Sequence, residues 1–196
     1  MKLATLALAL GLASPAFAAP PLSVDFEKNW DYGTEVANTY LADGVSFTNV
    51  LGLSNGDGLG SLANGDYYAG APSPLGVALV QLDGVTATTA YMNVTAGVSG
   101  GLSFYTSATA DFEVKAYSGL NGTGTLLGSF TVAANTTDFT VWNQNVFTFN
   151  GVAQSFDLSA ANGIAGFDNI SAVPEPTSLA LMLAGATVLL ARRRRA

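Results

Sequence analysis

The 196-residue chain contains neither cysteine nor histidine. Without cysteine there is no disulfide, so core packing must supply the stability. Without histidine there is no Ser-His-Asp or Cys-His catalysis. Zinc sites built on His or Cys are excluded as well. Positive charge is also scarce. Of seven basic residues, five lie at the ends, at Lys2 and Arg192 to Arg195. Between Ala19 and Val173, Lys28 and Lys115 face thirteen acidic residues, a net charge of −11. That balance opposes nucleic-acid binding, which needs a positive surface against phosphates. The middle of the chain carries no convincing amphipathic helix and no repeat of 20–50 residues, which argues against a solenoid.

What is there begins with the two ends. Met1 and Lys2 form a short positive region, and Leu3 to Leu12 is uncharged and mainly apolar. Ser14 and Pro15 break that run, and Ala16-Phe17-Ala18 puts small residues at −3 and −1 of a signal-peptidase site. Cleavage is expected between Ala18 and Ala19. One residue later would leave Pro20 at +1. Residues 1–18 are therefore read as a signal peptide handled by the secretion machinery and signal peptidase.

At the other end, Val173-Pro174-Glu175-Pro176-Thr177 disfavours helix, because proline lacks an N–H and restricts the residue before it. The uncharged run Ser178 to Ala191 follows, then Arg192, Arg193, Arg194 and Arg195. As a helix the run spans about 21 Å, short of a hydrocarbon core of about 30 Å. Snorkelling arginines and local thinning make up such a difference. The arginines should stay cytoplasmic, leaving the middle of the chain outside.

Pro174-Glu175-Pro176, the short apolar helix and the arginine cluster resemble the PEP-CTERM sorting signal of Gram-negative bacteria. The resemblance covers residues 173–196. It implies processing by an exosortase, a transpeptidase-like membrane enzyme, and an association with exopolysaccharide or biofilm matrix. Pro174, Glu175 and Pro176 would be the recognition motif. Ser178 to Ala191 would be the transient inner-membrane anchor and Arg192 to Arg195 the stop-transfer signal.

The remaining residues, 19–172, read as one β-rich domain. Gly, Asn, Thr, Ser and Ala separate short β-branched and aromatic runs. Strands are expected at 22–27, 44–50, 77–82, 90–94, 101–105, 111–117, 126–132, 139–142, 146–149, 155–158 and 166–171. The clearest is Asp111 to Tyr117, where Phe112, Val114 and Ala116 should face inward. So many strands imply an all-β domain, an antiparallel two-sheet β-sandwich, flanked by the signal peptide and one C-terminal hydrophobic helix. The layout also resembles the jelly-roll domains that often precede this sorting signal, and galactose-binding-like carbohydrate modules. The residues that carry this are Val24-Asp25-Phe26 at the start, the Gly119 to Gly124 turn, and Gly166 to Ile170 at the end.

Several motifs suggest chemistry. Gly97-Val98-Ser99-Gly100-Gly101 fits a nucleophile-elbow pattern, but without histidine the serine has no normal base, and a β-turn is expected there. Asn-Gly-Asp occurs at Asn55 to Asp57 and at Asn64 to Asp66, and reads as a solvated loop rather than a calcium loop. Asp25, Glu27 and Asp168 would suit a structural calcium if the first and last strands were neighbours, as they often are in jelly rolls. Trp30, Tyr32, Tyr67, Tyr68 and Trp142 lie near turns. Aromatic faces there could stack on sugar rings while nearby Asp and Asn take the hydroxyls. No carboxylate pair stands out by spacing, so a glycoside hydrolase is the least favoured class and no catalytic residue is assigned. The expected function is that of a non-catalytic, exosortase-processed surface or matrix protein associated with polysaccharide. The alternative is a structural or adhesive surface protein that makes protein contacts.

Overall fold

The computed structural model describes residues 22–31, 33–54, 68, 70–73, 75–81 and 89–173. Among them are nine strands: β1 Ser23–Val24, β2 Val45–Thr48, β3 Val50–Ser54, β4 Gly76–Val80, β5 Tyr91–Ala108, β6 Phe112–Tyr117, β7 Leu126–Val132, β8 Asn143–Asp157 and β9 Ala165–Val173. Three one-turn 3₁₀ segments, Leu41–Asp43, Leu120–Gly122 and Ser159–Ala161, sit between them. All the strand pairings are antiparallel.

The sequence reason is clearest in β6. Its burial alternates as the pattern predicts, with Phe112, Val114 and Ala116 inward and Glu113, Lys115 and Tyr117 half-buried on the other face. The turn from Gly119 to Gly124 joins β6 to β7 as expected. Its 3₁₀ turn is pinned to the sheet where Asn93 and Asn121 exchange hydrogen bonds, both 2.8 Å long.

Strands β5 and β8 are longer than their sequence patterns suggest. The segments expected at 90–94 and 101–105 form one strand of 18 residues, and those at 146–149 and 155–158 form one of 15. The Gly97 to Gly101 stretch is therefore not a β-turn. It is a bulged bend inside β5, with Gly97 at φ 75°, Gly100 at φ 83° and two register shifts against β8. The bend brings backbones so close that a Cβ on Gly101 would lie 2.7 Å from the Phe147 carbonyl oxygen.

Instead of two separate sheets, the strands form one hydrogen-bonded sheet. Its main path runs β3-β4-β9-β5-β8-β6-β7, with β1 beside β9 and β2 beside β5. The first part of β5, from Tyr91 to Asn93, lies between β2 and the end of β8. The second, from Gly101 to Thr106, lies between β9 and the start of β8. The sheet curls as a result. Phe130 on β7 packs on Phe104 of β5 and on Phe147 of β8, with centroids 6.2 and 5.7 Å away. The two-residue β1 is shorter than the strand expected at 22–27, because Phe26 takes φ 55°. Asn49, at φ 54°, separates β2 from β3, which the sequence pattern does not reveal. Residues 139–142 form a loop rather than a strand.

The signal peptide (1–18) and the sorting segment from Pro174 onward lie outside the described residues. Among the described residues no helix is long and apolar enough to cross a membrane.

Phe104 touches both Phe130 and Phe167 at the centre of the core. Replacing it with alanine should cost about 3–5 kcal/mol, as large-to-small changes of buried aromatics do. Chemical denaturation should show a lower midpoint at an unchanged slope.

Candidate functional site

The pairing of β1 with β9, Ser23 to Ser171 and Val24 to Ile170, brings the first and last described strands together. Asp25 and Glu27 follow β1, and Asp168 sits within β9. All three converge on the segment that enters β4. Asp168 is 0 % exposed. Its Oδ2 accepts the Ser73 N–H at 2.8 Å and its Oδ1 accepts the Asn169 N–H at 2.7 Å. Glu27 Oε1 accepts the N–H groups of Leu75 and Gly76 at 2.8 and 3.1 Å. Asp25 Oδ1 accepts the Glu27 N–H at 3.2 Å, with the Tyr40 hydroxyl 3.5 Å away. Gly76 is required here, because a Cβ would lie 2.2 Å from the Phe26 carbonyl oxygen.

Ser73 Oγ lies 2.8 Å from the Asp25 carbonyl oxygen and 2.6 Å from Asp168 Oδ1. A hydroxyl has one hydrogen to donate. The contacts are all satisfied when Asp168 carries a proton, donates to Ser73 Oγ, and leaves the serine hydrogen for the Asp25 carbonyl. Burial favours the same state. It raises the pKa of Asp168 above the usual carboxylate range, and the nearby Glu27 charge adds to the rise, although the Ser73 and Asn169 donors oppose it. The Tyr40 hydroxyl is also raised, first by burial and then by the charge of Asp25.

A calcium site needs several free oxygens around one centre. Both oxygens of Asp168 accept backbone N–H groups, and one oxygen each of Asp25 and Glu27 is occupied likewise. The three neighbours as arranged brace a loop and do not fit a cation cage. Among the described residues no group of three or more acidic, Cys or His side chains is placed to hold a metal.

The aromatic candidates fall in two places. Trp30 is 5 % exposed and packs so closely over β3 that a Cβ on Gly52 would lie 2.1 Å from its ring. Its indole N–H donates to the Phe26 carbonyl at 2.9 Å, and its backbone N–H is bonded to Ser54 Oγ. Trp30 thus belongs to the core and offers no open face to a sugar. Tyr68 and Trp142 meet on the outer face of the sheet, with centroids 6.0 Å apart. Phe139 is 5.1 Å from Tyr68. Tyr68 is 7 % exposed, and burial pushes its hydroxyl up to about 12. Phe139 and Trp142 are half-buried. Beside them, the exposed Asp138 accepts the Thr136 and Thr140 hydroxyls, each at 2.7 Å. Those donors hold its carboxyl below the usual range.

Tyr32, Tyr67, both Asn-Gly-Asp segments, Ala16, Ala18, Pro174, Glu175, Pro176 and Arg192 to Arg195 lie outside the described residues. Sequence reasoning missed Ser73 and Phe139. Pro72-Ser73-Pro74 is a turn signal, and Thr136-Thr137-Asp138 before Phe139 marks a loop. No family model, curated protein or solved structure matches the chain.

A carboxyl whose pKa is raised on folding contributes stability below its unfolded value, and loses it as pH rises through the folded value. The melting-temperature difference between wild type and Asp168→Asn should therefore be most favourable to wild type at acid pH, at and below the unfolded carboxyl value of ~4, and shrink as pH rises above it. A wild-type advantage that grew with pH would mean that Asp168 serves as an ionised acceptor.

Proposed function

We propose that this is an exported, non-catalytic surface or matrix protein of a Gram-negative bacterium, processed by an exosortase and associated through its β domain with extracellular polysaccharide. The observation that carries the sorting half is the junction at the end of the fold. Strand β9, flanked by β4 and β5, continues to Val173, and the next residue is Pro174 of the Pro-Glu-Pro motif. The folded domain thus hands over to the sorting signal without a linker, and a cut near the motif would release it whole. Residues 1–18 direct export across the inner membrane, and the arginine cluster retains the tail on the cytoplasmic side until the enzyme acts.

The polysaccharide half is supported by the half-buried Phe139 and Trp142 beside Tyr68. They are rimmed by Thr136, Asp138 and Thr140, an arrangement of ring faces and short polar groups suited to sugars. The acidic balance suits solubility outside the cell. Without histidine or cysteine, and with the buried carboxylate engaged in bracing a loop, binding is favoured over catalysis.

Intact-mass analysis of the protein recovered from the surface and medium of its host, with and without the exosortase, tests the sorting reading. Loss of residues 1–18, together with loss of the tail beyond the Pro-Glu-Pro region only when the enzyme is present, is expected. A full-length C-terminus in both strains would make the tail a permanent anchor.

A further inference from the structure

We propose that the cluster of Tyr68, Phe139 and Trp142 is a slot for one uncharged sugar ring, with Ser107 Oγ and Trp142 Nε1 positioned to take two of its hydroxyls. This rests on the polysaccharide association proposed above, and adds the site and the class of sugar.

Among the described residues, two buried polar side-chain atoms have no hydrogen-bond partner, Ser107 Oγ and Trp142 Nε1. Native folds pair such groups, because leaving one unpaired forfeits its hydration with nothing in return. Ser107 is 0 % exposed. It is the Cα partner of Gly166 across β5 and β9, so the two residues point to the same side of the sheet. On that side, a Cβ on Gly166 would lie 2.4 Å from Tyr68 Cε1 and 3.3 Å from Trp142 Cη2. The Ser107 hydroxyl is therefore aimed at the aromatic cluster and away from the main core, which its neighbour Ala108 faces. The unpaired hydroxyl and the unpaired indole N–H belong to one face and one set of rings.

Two of the three ring residues sit in a costly backbone conformation. Tyr68 and Phe139 take φ 61° and 62°, a region that bulky side chains avoid. Strain of this kind persists where neighbours enforce it, and it gathers at binding sites. On the Phe139 side, Asn135 supplies the restraint. It accepts the Ala108 N–H at 2.7 Å and donates to the carbonyls of Thr106 and Val141 at 2.9 and 3.0 Å. The Phe139 to Trp142 loop is thus fixed beside β5, and the rings must part before a sugar reaches Ser107 Oγ and Trp142 Nε1, which are buried in the free protein.

Charge selects the ligand. Both basic residues of the domain are engaged elsewhere, Lys28 over the Tyr40 ring and Lys115 with Glu113 at 3.1 Å. Among the described residues, the charged group next to these rings in the chain is Asp138, whose carboxyl is held below the usual range by the Thr140 and Thr136 hydroxyls. A uronic acid would meet a negative rim in a domain of charge −11. A neutral hexose offers an apolar ring face to Trp142 and Phe139 and hydroxyls to Ser107 and the indole N–H.

The test is affinity electrophoresis of the processed protein from its host in gels containing dextran, laminarin, alginate or polygalacturonate, with melting temperatures in parallel. A neutral glucan should retard the wild type and the acidic polymers should not. Ser107→Ala and Trp142→Phe should each weaken retardation about threefold to tenfold, the worth of one hydrogen bond. Ser107→Ala should melt at the same or a higher temperature, since it removes an unpaired hydroxyl. A higher melting temperature with unchanged affinity would make Ser107 a packing defect and overturn the slot. Glucan binding insensitive to both variants would also overturn the slot, while leaving the polysaccharide reading intact. Equal retardation by alginate would overturn the selection for neutral sugars. No retardation by any polymer would overturn both the slot and the polysaccharide association.

Discussion

Strand β5 hydrogen-bonds to β2 and β8 at one end and to β9 and β8 at the other, so the two long strands are common to both parts of the curled sheet. That sharing constrains everything else. The core is the space that the curl encloses, where Phe104, Phe130, Phe147 and Phe167 meet. The curl requires β5 to bend over Gly97 and Gly100. A side chain at Gly97 would collide with Val152, and one at Gly101 with the backbone of Phe147. With no disulfide available, this continuous ladder and its aromatic filling hold the domain together.

The parts of the fold that were legible are those where one periodicity acts alone. Strand β6 has one face in the core and one toward solvent, so its alternation survives in the sequence. The long strands were not legible as units. Gly97 to Gly101, and Asn150-Gly151 within β8, carry turn residues where the backbone in fact continues, bulged, with Gly97, Gly100 and Gly151 at positive φ. The error ran the other way at 139–142, where β-prone residues sit in a loop. There, hydroxyls on Asp138 and the amide of Asn135 outcompete strand pairing.

The same contrast holds at the candidate sites. The nearness of Asp25, Glu27 and Asp168 follows from β1 lying beside β9, which the resemblance to jelly rolls suggested. What the carboxylates do there was not readable. Their partner Ser73 lies 95 residues from Asp168 in sequence, and no local pattern links them. Of the aromatic candidates, Trp30 is committed to the core by glycines on two neighbouring strands, a pairing visible only once β3 and β4 are in register. Tyr68 and Trp142, 74 positions apart, meet because a glycine at position 166 lets a ring touch the sheet.

Strand β9 has a mechanical consequence as well. Through Val173 it is paired with β5, and nearer its start it is paired also with β4, while β1 pairs with it at Ile170 and Ser171. A pull on Val173 along the strand would load these ladders together, in shear, whereas a terminal edge strand would be unzipped one bond at a time. The end of the domain at Val173 would thus resist a force applied along the strand without unravelling the fold behind it.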